Sequence, residues 1–282
     1  MHDLSYLTNP EWTTEENRLA CFTGVFNAAI YADYIIAPSR NTLEQFQRAY
    51  PHYPVERAAV LPLASRFQRM PVETQDFASL QPRAGGKPLE TQDIASIKPG
   101  GFWLNVGTPE PRKNQIRLLQ AYARFKAGHP DAYPLVFAGG NGWMLEQFDH
   151  TIDELGLRPN VNRLGYVDDA TLHWLYRNCY AFVYPALLEG FGLPVLEAMS
   201  LGAATITANI TSMPEIAGDA ALQVDPYRED AILGAMEKLA ADEGLRQALK
   251  VKAVERARAF NWQSYAQGVL AICETLTNKG EH

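Results

Sequence analysis

From Phe102 to Ala208 the chain repeats one pattern, and that pattern leaves few folds open. A short apolar run meets a glycine-rich or polar corner, and a longer amphipathic segment follows. The apolar runs are "FWLNVG" (102–107), "YPLVFAG" (133–139), "VNRLGYV" (161–167), "YAFVYP" (180–185) and "AATITA" (203–208). Helical stretches lie between them at 114–127, 144–155 and 169–177. Strands alternating with helices of that length read as βαβ units, hence an α/β fold with a parallel sheet covered on both faces. Two or three further helices are expected from Arg228 onward, the last starting near Asn261 as its cap. This region reads as one Rossmann-like, doubly wound domain, residues 100–260, followed by a C-terminal helix, 261–282.

The stretch before it is different. It gives one long helix from Thr14 to Tyr31, a strand at Tyr34–Ser39, a second helix at Asn41–Tyr50 and the strand-like "RAAVLPL". Those are too few strands for a closed sheet of their own. Residues 1–66 either dock on the larger domain or belong to a domain whose beginning is absent. Between the two parts, in 67–99, "VETQDFASLQP" (72–82) recurs as "LETQDIASIKP" (89–99). Two short copies are too few for a solenoid, which leaves a duplicated surface linker or a small recognition element.

Bulk properties exclude several functions. A formal charge of -7 over 282 residues argues against nucleic acid as a partner. No apolar run approaches the ~20 residues that span a bilayer, and no signal peptide precedes the first polar segment. Cys21, Cys179 and Cys273 form no CxxC pair, and each reads as a small core residue in a reducing compartment. The expected location is the cytoplasm.

In an open parallel sheet, ligands bind beyond the carboxyl ends of the strands, at helix N-termini. Three corners suit that position. The first, "TPEPRKNQ" after Gly107, sets Arg112 and Lys113 immediately before a helix. Two cations at a helix start are mutually unfavourable unless an anion arrives, although solvated surface side chains remain the plain alternative. The second, "AGGNGWM" (138–144), resembles part of a GxGxxG loop but has Leu145 in place of the last glycine. A tight turn into the next helix competes there with a nicotinamide site. The third is "LLEGFGLPVLEAMSLG" (187–202). Gly190 and Gly192 would keep side chains away so that backbone amides reach a ligand, and Pro194 suits a first helical position. Glu189 is expected at the cleft rim, with Glu197 about a turn inside the helix. A lone phosphate would be repelled by both carboxylates. A diphosphate flanked by sugar hydroxyls would not, because carboxylates accept from hydroxyls and helix amides receive the charge. That describes a nucleotide sugar.

These residues resemble a known family, the retaining glycosyltransferases of GT-B fold, group 1 or family four. Its motif is a glutamate, seven residues and a second glutamate, matched by Glu189 and Glu197 in "EGFGLPVLEA". "VYPALL" before it, "MSLG" after it, "VGTPEPRKN" upstream and "SMPEIAGDAALQVDP" downstream fit as well. The resemblance implies that Glu189 contacts the donor sugar and Glu197 the ribose hydroxyls. Gly107, Arg112 and Lys113 would hold the diphosphate, helped by amides of Gly190, Phe191, Gly192 and Leu193. Gly165, Tyr166 and Val167 would line the base pocket. In "SMPE", Ser212 and Glu215 read as a capping box rather than as catalytic groups. "HDLSYLTNPEW" and the elements after it look like the second half of the family's acceptor domain, with His2 as a cleft residue. About 100 residues of that domain have no counterpart here.

The resemblance thus implies hexose transfer, mannose favoured, from a nucleoside diphosphate sugar (GDP-mannose by preference) to a saccharide or lipid-linked saccharide hydroxyl. The setting would be cell-surface polysaccharide or lipopolysaccharide assembly, at the inner face of the membrane. No DxD motif appears, Asp168–Asp169 reads as a helix start, and neither a metal nor a cofactor is expected. An inactive or partner-dependent nucleotide-sugar binding module, motivated by the missing half-domain, and a nicotinamide oxidoreductase are the rivals.

Overall fold

Trp103, Leu104, Leu135, Val136, Ala181 and Phe182 are all fully buried, and their alternation explains the architecture. Successive side chains of one strand enter opposite layers: Trp103, Leu135, Phe137, Ala181 and Val183 face one core, and Leu104, Val136, Phe182 and Tyr184 the other. In the computed structural model, which describes residues 1–69, 97–142 and 144–279, these residues form a six-stranded parallel sheet. Its strands are β3 (Trp103–Val106), β4 (Leu135–Ala138), β5 (Val161–Arg163), β6 (Ala181–Tyr184), β7 (Thr205–Ala208) and β8 (Leu222–Val224). Their order is β5-β4-β3-β6-β7-β8, so the chain reverses direction between β3 and β6. One face carries α4 (Gln115–Gly128), α5 (Leu145–Glu154) and α9 (Glu229–Ala241). The other carries α6 (Asp169–Asn178), α7 (Leu193–Ser200), α8 (Met213–Ala217) and α10 (Glu243–Ala257). The doubly wound expectation holds; β8 is the strand it did not foresee.

The helix starts follow local chemistry. Asp168 Oδ1 accepts the Thr171 amide at 2.8 Å, which makes "DD" a cap as expected. Asn261 Oδ1 likewise takes the Ser264 amide before α11 (Trp262–Lys279). Asn114 is left-handed (φ 59), and its side-chain amide donates to the Pro185 and Pro226 carbonyls at 2.9 and 2.7 Å. That residue ties the loop after β3 to those after β6 and β8. In "AGGNGWM" the glycines serve packing: a Cβ on Gly139 would run into the Gly107 backbone, and one on Gly142 into Pro109.

Residues 1–69 form α1 (Ser5–Thr8), α2 (Glu15–Tyr31), β1 (Ile35–Ala37), α3 (Arg40–Ala49) and β2 (Ala58–Val60). β1 and β2 make a two-stranded parallel sheet. Cys21, Val25, Ala28 and Ala29 of α2 pack on a small cluster with Leu4, Tyr6 and Phe46. The opposite stripe, Leu19, Phe22, Phe26 and Ile30, is exposed. This part docks on the larger domain through Phe67, which joins its core, through Gln68 on the Ala257 and Phe260 carbonyls, and through Leu61 against Gly268. The duplicated segment lies almost wholly outside the described residues. Of the cysteines only Cys179 is buried; Cys273 is exposed and Cys21 intermediate, so the core assignment holds for one of three.

Candidate functional site

The reversal between β3 and β6 opens a crevice at their carboxyl ends, where such sheets bind ligands. Two loops line it. After β3 the chain turns at Gly107 (φ 144) and passes through a 3-10 turn, Pro111–Lys113, into α4. After β6 it runs through Pro185 to Gly192, the N-cap of α7.

The sequence left Arg112 and Lys113 as a cation pair awaiting an anion. The structure corrects this: the anion is the protein's own Glu189. Its Oε1 accepts from Lys113 Nζ at 2.6 Å, Arg112 Nη1 at 2.9 Å and Tyr184 Oη at 2.7 Å. Glu189 is therefore not a rim residue; it is 9% exposed and Lys113 7%. Burial works to raise the Glu189 carboxyl, but Lys113 and then Arg112 outweigh it, so it titrates below its ordinary value. Burial and the neighbouring Glu189 push the Tyr184 phenol well up. Arg112 Nε also donates to Glu110 Oε2 at 2.8 Å, and Thr108 Oγ1 holds the other Glu110 oxygen. Neither Tyr184 nor Glu110 was foreseen, although Tyr184 ends the "YAFVY" strand at the crevice.

Glu197 is separate. It is 2% exposed; Arg66 Nε donates to its Oε1 at 2.7 Å and Tyr176 Oη to its Oε2 at 3.2 Å. Burial raises its carboxyl above the ordinary value, with Arg66 opposing. Arg66 reaches Asp169 as well, at 2.8 Å. Arg66, from the segment that joins the two parts, thus occupies the carboxylate that the sequence reading reserved for hydroxyls.

The loop between the two glutamates also needs correcting. A Cβ on Gly190 would overlap the carbonyl of His2, and Gly192 (φ 101) faces Met213. Both glycines are required by neighbouring protein atoms. The Phe191 side chain is buried edge-on against Phe260 at 5.9 Å. The expected capping box is absent: Ser212 makes no cap bond and donates instead to the Glu189 and Phe191 carbonyls at 2.8 and 2.9 Å. Glu215 accepts the Arg40 and Asn41 amides, both at 2.8 Å, and so caps a helix of the other part of the molecule. Among the described residues, the amides of Gly190, Phe191 and Gly192 have no acceptor.

The remaining expected residues are scattered. His2 is exposed and lines a cavity of about 570 Å³ with Asp3, Glu110 and Arg112. Gly165 is left-handed (φ 68) and its carbonyl takes the Gly139 amide at 2.8 Å. Tyr166 is exposed, Val167 packs on the core, and Leu193 is exposed at the start of α7. No hydrogen bond among the described residues joins 165–167 to the Glu189 cluster. The arrangement places two shielded cations on a buried carboxylate, with three unengaged amides on the turn that follows it.

The family model described as "Glycosyl transferases group 1" matches residues 88–256. O-antigen chain mannosyltransferase B of Escherichia coli is 40% identical over 165 residues, 58% of this chain and 43% of that protein. Serotype-specific mannosyltransferase WbdA of Escherichia coli is 38% identical over 167 residues, again 58% of this chain but 20% of its own length. The match thus spans less than half of these relatives. Sucrose-phosphate synthase from Thermosynechococcus elongatus superimposes with a TM-score of 0.73 at 20% identity, over 98% of this chain and 65% of that one. At that identity the likeness concerns the fold, which is of GT-B type.

Proposed function

The chain belongs to the group 1 glycosyl transferases, and on that premise we propose that it supplies the donor side of a hexosyl transfer. The donor is a nucleoside diphosphate sugar, GDP-mannose by preference, since the curated relatives carry mannosyltransferase names. The acceptor is a hydroxyl of a saccharide or lipid-linked saccharide in cell-surface polysaccharide or lipopolysaccharide assembly, in the cytoplasm at the inner face of a membrane. Among the described residues no helix is long and apolar enough to cross that membrane.

The observation that supports this most is the Lys113–Arg112–Glu189 cluster, with free amides on the adjoining turn. An incoming diphosphate competes with Glu189 for both cations. The displaced carboxylate is then available to the sugar hydroxyls, and Glu197, once released by Arg66, to the ribose. As the sugar–diphosphate bond breaks, negative charge gathers on the leaving group, where Arg112, Lys113 and the amides of 190–192 stabilise it without a divalent ion. The acceptor oxygen bonds to the anomeric carbon on the face the diphosphate leaves, so configuration is retained, and the hydroxyl proton passes to the departing diphosphate oxygen. His2 belongs to the acceptor side of the crevice.

Calorimetry with GDP, UDP, ADP and TDP tests the donor site, with one preferred diphosphate expected. No binding to any of them at millimolar concentration would end the proposal. A second reading, a nucleotide-sugar module that turns over only with a partner, is favoured by the bare stripe on α2 and by the two-stranded β1–β2 sheet. A sheet this small seldom stands alone. Diphosphate binding without GDP-mannose turnover would favour it.

A further inference from the structure

The three free amides of the turn after Glu189 are aimed by hydroxyls, and two of those hydroxyls come from the other part of the molecule. Ser39 Oγ donates to the Gly190 carbonyl at 2.6 Å and Thr42 Oγ1 donates to the same oxygen at 2.8 Å. Both hydroxyls are buried. Ser39 Oγ accepts the Thr42 amide at 3.1 Å; its single proton has Thr42 Oγ1 at 3.1 Å as a second acceptor, but the Gly190 carbonyl is the shorter contact. Ser212 shares its proton between the Glu189 and Phe191 carbonyls. Three consecutive carbonyls are thereby held.

In a trans peptide the carbonyl and the following N–H point in opposite directions, and no peptide here is cis. Holding the oxygens of Glu189, Gly190 and Phe191 therefore fixes the amides of Gly190, Phe191 and Gly192. None of these three amides has an acceptor among the described residues. The donors from the start of α3 are themselves seated, because Glu215 takes the amides of Arg40 and Asn41, the two residues between them. The contact is reciprocal: the larger domain caps α3, and the start of α3 orients the turn.

We propose that Ser39 and Thr42 are positioning residues that hold the Glu189–Gly192 amides in the direction a diphosphate requires, so that the donor site is complete only while residues 1–69 are docked. This rests on the donor reading above. Two alternatives are separable. If the hydroxyls only join the two parts, their loss lowers stability without changing ligand preference. If they aim the amides, the diphosphate loses affinity and the nucleoside does not, because only the former uses those N–H groups.

The test compares wild type, the Ser39→Ala/Thr42→Val double variant and Thr42→Ser by calorimetry, with GDP, UDP, ADP and TDP beside their free nucleosides, and by melting. The double variant is expected to bind the preferred diphosphate about tenfold more weakly, about 1.4 kcal/mol, the scale of a lost hydrogen bond. Its nucleoside affinity should change less than about twofold, and Thr42→Ser, which keeps a hydroxyl, should bind like wild type. Equal losses for diphosphate and nucleoside, or a Thr42→Ser variant as weak as the double variant, would overturn the positioning role while leaving the donor site standing. A wild-type protein that binds no diphosphate would instead overturn the donor reading itself.

Discussion

Glu189→Gln removes the only carboxylate paired with Lys113 among the described residues. The side chains involved are 9% (Lys113) and 11% (Glu189) exposed, so water cannot replace the lost charge cheaply. Removing one partner of a buried pair costs about 3–5 kcal/mol. Two features place this case at the lower end. Arg112 keeps Glu110 at 2.8 Å and is partly solvated, and the glutamine oxygen still accepts one hydrogen bond. A loss of about 3 kcal/mol in a domain of this size lowers Tm by roughly 6–12 °C. The same substitution should help a diphosphate, which in wild type must displace the carboxylate from both cations. The assay is a melting curve with and without GDP. The variant should melt lower, and GDP should raise its Tm by more than it raises that of wild type. A variant that melts like wild type would show that the cations do not depend on Glu189. A smaller GDP shift in the variant would show that carboxylate and diphosphate do not compete.

Arg66→Ala leaves Glu197 buried with Tyr176 alone, which drives its already raised carboxyl further up. A raised folded-state value means that stability is present at low pH and lost as pH climbs through that value. The variant should therefore approach wild type below the ordinary carboxylate range and fall behind it toward neutrality, as urea unfolding across pH would reveal. Glu189 has the opposite sign: its lowered value contributes stability above the ordinary range, lost as pH falls through the lowered one, so Glu189→Gln should flatten the acid limb of the same profile. Gly190→Ala places a methyl on the His2 carbonyl, and the clash should cost about 1–3 kcal/mol and make residues 1–14 sensitive to limited proteolysis. Burial pushes the Cys179 thiol up to about 12. Native alkylation at pH 8 should label Cys273 and spare Cys179, with peptide mass spectrometry as the check.

The doubly wound sheet was legible because each buried strand announces itself by an apolar run and each corner by glycine or proline. β8 was not, since three residues reading "LQV", with the glutamine exposed, carry no such signal. The identities of Glu189, Arg112 and Lys113 were also readable from their corners, but their mutual pairing was not. Nothing in local spacing shows that two loops about 75 residues apart meet across the sheet reversal. The same limit explains Ser212 and Glu215. Local pattern makes them a capping box, and the fold spends them on partners over 20 and over 170 positions away. Arg66 closes the 1–66 segment after its last expected strand, and Thr42 lay at an expected helix start; neither position carries a local sign of its distant partner.

The docking of residues 1–69 has a consequence for synthesis on the ribosome. Ser39 and Thr42 need Gly190, the start of α3 needs Glu215, and Leu61 rests on Gly268. Every one of those partners is translated long after the segment it holds. At about 5–20 residues per second the N-terminal elements wait on the order of 8–40 s for their seat. During that interval Leu61, Phe67 and the start of α3 lack the partners that cover them, and together with the stripe of Leu19, Phe22, Phe26 and Ile30, exposed even after docking, they form a surface that nascent-chain chaperones or a co-translated partner would meet first.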